Sequence, residues 1–262
     1  MQAGFAEAGL PTLYGGAHGN GLTHMALAGF EDGSYLELIA PLATASLAKA
    51  SGMMAGWMPL MVGNAGPGAW AIRVSDIHAK AQELRARGMA VQGPEVGGRK
   101  RPDGIQLEWE TALVGLLPAG SVLPFMIEDR SERSLRVQLL ENTSGLRGIA
   151  RVVIAVRELA VSEALFRRAY IWPEARKFTD AEFGARLAHF ADTPVILAEP
   201  SGPHTRTAER LRGFGEGPMA FLFAGALNPS EHIPARLSSW FGDRIRWLPE
   251  TIVGAQIGVI AR

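Results

Sequence analysis

Trp70-Ala71-Ile72-Arg73-Val74-Ser75-Asp76-Ile77-His78-Ala79-Lys80-Ala81-Gln82-Glu83-Leu84-Arg85-Ala86-Arg87-Gly88 opens the stretch that decides the fold, which runs on to Asp129. Trp70 to Val74 is strand-like, and Asp76 is placed to accept from the free N–H groups of a following helical turn. Ile77, Ala81 and Leu84 recur at helical spacing, and Gly88 supplies a left-handed stop. Three further strands are predicted, at Met89 to Gln92, Ile105 to Val114 and Leu123 to Glu128, separated by Gly- and Pro-rich turns. The predicted order is strand, helix, strand, strand, strand.

Outward from this unit, the pattern recurs. Trp70 to Ile77 superposes on Val152-Val153-Ile154-Ala155-Val156-Arg157-Glu158-Leu159, with Leu84 falling on Phe166. Leu36 to Pro41 superposes on Val195 to Pro200. The last part reads as a fourth, shorter unit: Met219 to Phe223, an Asn228-capped helix from Pro229 to Trp240, then Ile245 to Ile260. A polar run, Asp129 to Gly145, separates the halves. The predicted organisation is residues 1–130, a linker at 131–146, and residues 147–262.

The βαβββ unit carries Arg99 to Gly104 as a basic turn, then Leu107-Glu108-Trp109 and Leu123-Pro124-Phe125-Met126-Ile127-Glu128. Gly19 to Leu27 and Gly33 to Pro41 match the first unit of the same pattern. On these residues the chain resembles the vicinal-oxygen-chelate superfamily, and within it the glyoxalase-like domain proteins. The resemblance covers Gly15 to Asp129 well and continues weakly beyond. It implies an α+β fold of tandem βαβββ units forming two glyoxalase/bleomycin-resistance/dioxygenase-like open sheets, each curled into a cup. It does not name a reaction, because the family hosts many.

The resemblance also exposes departures. A family member begins with a strand and a helix, and that strand commonly carries the first metal ligand. Here only the tail of the helix is read, Gln2 to Ala8 ended by Gly9, so the first unit is truncated. A start codon assigned too late accounts for this, as does a real truncation with another segment over the exposed edge. The second-strand histidine of the family pattern falls on Ala69, seven residues before Asp76. The resemblance makes Glu37 and Glu128 the two carboxylate ligands, without either imidazole.

Glu37 sits mid-strand and shares a face with Tyr35 and Ile39. A carboxylate there is costly unless it is paired, metal-bound or in a wet cup. It is a catalytic or metal candidate, the alternative being an ion pair with an arginine such as Arg73. Arg73 has the parity of position 69 and is expected to face the cup. His24 faces opposite to Thr23, Met25 and Leu27, either as a pocket group or as a hydrogen-bonded strand residue. Trp57, near Met53, Met54 and Met58, lies in an adaptable apolar patch able to line a pocket. Trp109 alternates with Leu107 and Thr111 and reads as core or as a stacking surface. Arg99-Lys100-Arg101 reads as a solvated turn, the alternative being an arginine over the cup mouth. Gly15 to Gly21 reads as a turn between strands, since the spacing fits no P-loop and no helix follows.

Composition narrows the field. The chain has 262 residues, 26 basic and 26 acidic side chains, and no cysteine. Zero net charge argues against a broad nucleic-acid or anionic-membrane surface. The lack of cysteine removes thiol nucleophiles, disulfides and Cys-held metals. No signal peptide is read at the N-terminus, and Leu42 to Val62 is too interrupted to span a membrane; it reads as a buried or lid helix. A cytoplasmic protein is expected, with a homodimer compatible.

Two function classes remain. One is a metal-independent module holding a small apolar, partly anionic molecule in the first cup, with His24, Trp57, Arg73 and Trp109 around it. The other is a metal-dependent lyase, isomerase or dioxygenase using Glu37 and Glu128. Two carboxylates alone make a weak, hard site suited to Mg²⁺ or Mn²⁺, and an arginine between them opposes any cation. A divalent metal is therefore possible but not favoured.

Overall fold

The computed structural model describes residues 2–45, 50–115, 122–139, 145–225, 236–253 and 256–260. The first half contains α1 (Gln2–Glu7), β1 (Leu13–Ala17), β2 (Thr23–Gly29), β3 (Tyr35–Pro41) and α2 (Gly52–Val62). It continues with β4 (Ala71–Arg73), α3 (Ile77–Ala86), β5 (Val91–Lys100), β6 (Gln106–Val114), β7 (Phe125–Asp129) and α4 (Arg133–Arg136). The second half has β8 (Leu146–Ala155), α5 (Leu159–Tyr170), β9 (Arg176–Asp180), β10 (Ala185–His189), β11 (Val195–Pro200) and α6 (Arg206–Phe214). It ends with β12 (Gly217–Gly225), β13 (Arg236–Trp240), β14 (Asp243–Trp247), α7 (Glu250–Val253) and β15 (Gln256–Ile260).

The central unit forms as its residues dictate. Asp76 accepts from the Ala79 amide at 2.8 Å, capping α3. Ile77, Ala81 and Leu84 are fully buried, and Gly88 takes φ +75° after the helix. The four strands order as β4-β7-β6-β5, with β4 parallel to β7. The second half repeats this as β8-β11-β10-β9 and joins it, through an antiparallel β8–β12 pair, to β12-β15-β14-β13. The result is one continuous eight-stranded sheet.

The first half is built differently. β1, β2 and β3 make a separate three-stranded sheet; among the described residues, its backbone pairs with that of the four-stranded one at a bridge between His18 and Arg99. On the helix-covered side, one core serves both halves. Ile77, Ala81, Leu84 and Met126 of the first meet Val152, Ile154, Phe166 and Leu197 of the second in a single cluster. Phe30 packs on Phe223 with ring centroids 5.1 Å apart, so the halves are welded by buried apolar surface. The opposite face of the eight-stranded sheet is filled by Phe183, Trp240, Trp247 and Leu211 of α6, leaving the second cup packed with side chains.

Four expectations are corrected. β1 includes Gly15 and Gly16, so the Gly-rich stretch is part strand. A Cβ on Gly15 would lie 2.3 Å from Met25 Sδ, and glycine there lets β1 close onto β2. β5 runs to Lys100 rather than stopping at Gln92, which puts Arg99 in a strand. Residues 236–240, expected as the end of a helix, form β13; the rest of that predicted helix lies outside the described residues. The expected linker holds α4, whose Arg136 is buried in the first cup. Among the described residues no helix is long and apolar enough to cross a membrane.

Candidate functional site

The cup is the face of the first-half sheets turned away from α3. From β2 and β3 it receives Met25, Leu27, Glu37 and Ile39, with Leu27 opposite Glu37 and Met25 opposite Ile39. From β6 and β7 it receives Leu107, Trp109, Phe125 and Ile127, which pack together. Arg99 stands opposite Leu107 on the same face. A Cβ on Gly97 would meet the Trp109 indole nitrogen at 2.7 Å, so glycine makes room for that ring.

Glu37 is the hub. His18 Nε2 lies 3.4 Å from Glu37 Oε1, and His18 Nδ1 lies 2.7 Å from the hydroxyl of fully buried Thr23. Burial pushes the Glu37 carboxyl up, but the bond and charge of His18, with Arg136 and Arg99, hold it below its ordinary value. Burial likewise raises the Tyr35 phenol, against the opposing charge of Arg136.

Three guanidiniums fill the polar end. Arg99, nearly inaccessible, donates to the Gly15 carbonyl and, at 2.8 Å, to the Arg136 carbonyl. Arg136 pairs with Asp129, donates to the Tyr35 hydroxyl at 2.9 Å and stacks 4.8 Å over the Trp109 ring. Arg133 pairs with Asp129 at 3.1 Å, lies 5.1 Å over Tyr35 and donates to the Gly33 carbonyl. The Nε–H groups of Arg99 and Arg133 are buried and have no protein partner. Three cations thus face two carboxylates, and the cup carries excess positive charge before His18 is counted.

The other end is apolar. Trp57 of α2 packs on Phe125 with centroids 5.1 Å apart, over a small cleft walled by Ala69, Trp70, Leu113 and Leu123. The Trp57 indole N–H is buried there without a partner. Along β7 the cup face therefore grades from Phe125 through Ile127 to Asp129, about 13 Å at the usual rise per residue.

The expected residues divide. Glu37, Trp109 and Trp57 reach the cup. Arg73 shares the cup-facing parity, opposite Ile127, but is exposed, and no ion pair between it and Glu37 occurs among the described contacts. Two placements are corrected. His24 lies on the opposite face of β2 from Glu37, against the Tyr14 ring at 5.8 Å. Glu128 points to the helix side with Met126; its Oε2 accepts from the Ile77 amide at 2.8 Å. Glu37 and Glu128 therefore do not converge. The acid that reaches the cup from β7 is Asp129, whose shared parity with Phe125 and Ile127 was the available signal. His18, Tyr35 and Arg136 were missed as site residues, and Arg99 was weighed only as the alternative to a solvated turn. Arg99 was discoverable from its alternation with Gly97; Arg136 comes from a distant turn of helix and was not.

A divalent metal does not fit this donor set. One imidazole touches Glu37, Asp129 is engaged by two guanidiniums, and Arg99 and Arg136 already supply the positive charge. Among the described residues no three metal-ligating side chains converge.

With this geometry in hand, the sequence match decides the family. A glyoxalase-like domain model matches residues 2–170. The chain belongs to the glyoxalase-like domain family. It is thereby a vicinal-oxygen-chelate protein, as the curled βαβββ sheets also indicate. A hypothetical protein from Staphylococcus aureus is similar in structure at 10% identity, with a TM-score of 0.60, covering 97% of this chain and 91% of that one. The methylmalonyl-CoA epimerase of Mycobacterium tuberculosis aligns at 17% identity and a TM-score of 0.41, covering 47% of this chain and 92% of that one. No curated protein matches by sequence. In this glyoxalase-like domain chain, arginines line the polar end of the first cup, and the second cup is packed with side chains.

Proposed function

We propose that this glyoxalase-like protein binds one elongated small molecule along β7, apolar at one end and anionic at the other, without a metal. The supporting observation is the polarity gradient of the cup face. Trp57 and Phe125 offer apolar surface at one end, and Arg133 and Arg136 offer guanidiniums at the other. An anionic head fits the excess positive charge and the part-exposed Arg133 side chain, whose buried Nε–H has no protein partner. The methionines beside Trp57 let α2 adapt to tails of different shape.

Calorimetric titration with medium-chain carboxylates and the matching alcohols tests this. The carboxylates bind more tightly, Arg133→Ala removes the difference, and Phe125→Ala weakens both series. Equal binding of acid and alcohol, unchanged by either substitution, refutes the reading.

A second reading rests on the His18–Glu37 pair. A carboxylate hydrogen-bonded to an imidazole inside a cup is a positioned proton acceptor, suited to a lyase or isomerase step on a small oxygenated substrate. The version that places Glu128 beside it as a ligand is set aside, because Glu128 faces the helix.

A further inference from the structure

Trp57 carries the one hydrogen-bond donor among the side chains of α2, whose other residues from Gly52 to Val62 are apolar or glycine. Its ring packs on Phe125, but its N–H is buried and unpartnered. Other core indoles differ. Trp70 donates to the Val122 carbonyl at 3.1 Å, Trp240 to Asp180 at 2.5 Å and Trp247 to the Ser238 hydroxyl at 3.0 Å. Among the described residues, Trp57 is the indole whose N–H is shut away from water with nothing to accept it. A donor left in this state costs the desolvation of the group with no bond in return. A phenylalanine would keep the ring contact with Phe125 without that cost. An acceptor arriving from outside the chain explains the indole.

The surroundings restrict what that acceptor is. Trp57 lines a cleft of about 10 Å³, room for one water-sized group, walled by Ala69, Trp70, Leu113, Val114, Leu123 and Phe125. None of these side chains offers an acceptor, and the single N–H of Trp70 is already given to Val122. A water placed here finds the Trp57 N–H and no second side-chain partner, whereas buried waters make about three bonds. No lysine or arginine lines the cleft, so a second carboxylate would be buried without a counter-charge. A hydroxyl would carry its own donor in among the same apolar walls. A plain hydrocarbon tail would leave the indole N–H as it is.

We infer that the far end of the bound molecule carries an acceptor-only oxygen, a ketone or an ether, which takes the hydrogen bond of Trp57 Nε1. This rests on the reading of the cup as the site of an elongated anion, and it names what stands at the tail. Arg133 holds the anionic head, Trp57 holds the tail oxygen, and the two together fix the direction in which the molecule lies along β7. Trp57 is then a specificity-determining residue: it separates tails of equal length by whether they can accept one hydrogen bond.

Calorimetric titration with two medium-chain carboxylates of equal length tests this. One carries a methyl ketone at its far end, and the other has a methyl group in place of the ketone oxygen. Trp57→Phe is expected to weaken the ketone acid at least about tenfold more than the branched acid. In NMR spectra of the native chain, the Trp57 indole N–H signal, identified by its loss in the variant, moves downfield with the ketone acid and not with the branched one. Equal weakening of the two acids, or an indole signal that answers both alike, overturns the inference. In that event binding of both acids through Arg133 leaves the anionic-ligand reading standing. Binding of neither acid by the native chain refutes that reading, and the tail oxygen falls with it.

Discussion

Glu128 Oε2 accepts a hydrogen bond from the Ile77 amide at 2.8 Å, across 51 residues of sequence. Glu199 does the same for the Leu159 amide at 3.1 Å. In both complete units, then, a glutamate on the last strand caps the first turn of the unit's own helix. This is a repeated structural device, satisfying an orphan donor and placing negative charge at the positive end of the helix. Glu128→Ala is expected to cost about 1 kcal/mol of stability while leaving ligand affinity unchanged. Denaturant titration beside binding measurements checks it; a large loss of affinity at unchanged stability would return Glu128 to the site.

Glu37 predicts an acid limb. Its folded-state carboxyl is held below the ordinary value of 4.5, the bond to His18 and the charges of Arg136 and Arg99 outweighing burial. A depressed folded pKa adds stability above the unfolded value and forfeits it as pH falls through the folded one. Stability of the native chain should therefore drop as the pH is taken below about 4.5, and Glu37→Gln should flatten that part of the curve. At neutral pH the same substitution should cost roughly 1–3 kcal/mol, because buried cations lose their counter-charge. Parallel acid limbs in the two proteins would show that Glu37 is not the group responsible.

Arg136 should be intolerant of truncation. It joins Asp129, Tyr35 and Trp109, and its own carbonyl accepts from Arg99. Arg136→Met is expected to cost about 3 kcal/mol or more. Combining it with Asp129→Asn should cost less than the two singles together, since the second change relieves the charge left by the first. Strict additivity in urea unfolding would mean that the pair is not energetically coupled.

The donor set of the cup predicts indifference to metals. A chelator should leave Tm unchanged, and added Zn²⁺ or Mn²⁺ should not raise it, because ligands that bind only the folded state stabilise it by mass action. A reproducible rise with one metal at micromolar concentration would contradict the fit drawn from Glu37, His18 and the arginines.

How far the sequence could be read follows from what periodicity contains. Local signals carried the central unit: Asp76 as cap, Ile77, Ala81 and Leu84 as the buried stripe, and Gly88 as stop all stand as expected. Parity correctly grouped Phe125 with Ile127 and Met126 with Glu128. It did not say which group faced the cup, and a period of two is symmetric between the faces of a sheet. Glu128 was therefore assigned to the wrong side while Asp129 went unread. Arg99 was misjudged because three adjacent charges resemble a solvated run, whereas the strand continues through them and turns only Arg99 inward.

The chain's own residues determined the βαβββ repeat, its approximate boundaries and the family, because these rest on contacts between near neighbours and on alternation along single strands. The tertiary structure alone decided that His18, Arg99 and Arg136 gather around Glu37 and Tyr35. Those partners lie on separate elements up to about a hundred positions apart. No local pattern encodes such a meeting; it comes from how two curled sheets and a short helix close on one another, and burial then compels their charges to pair.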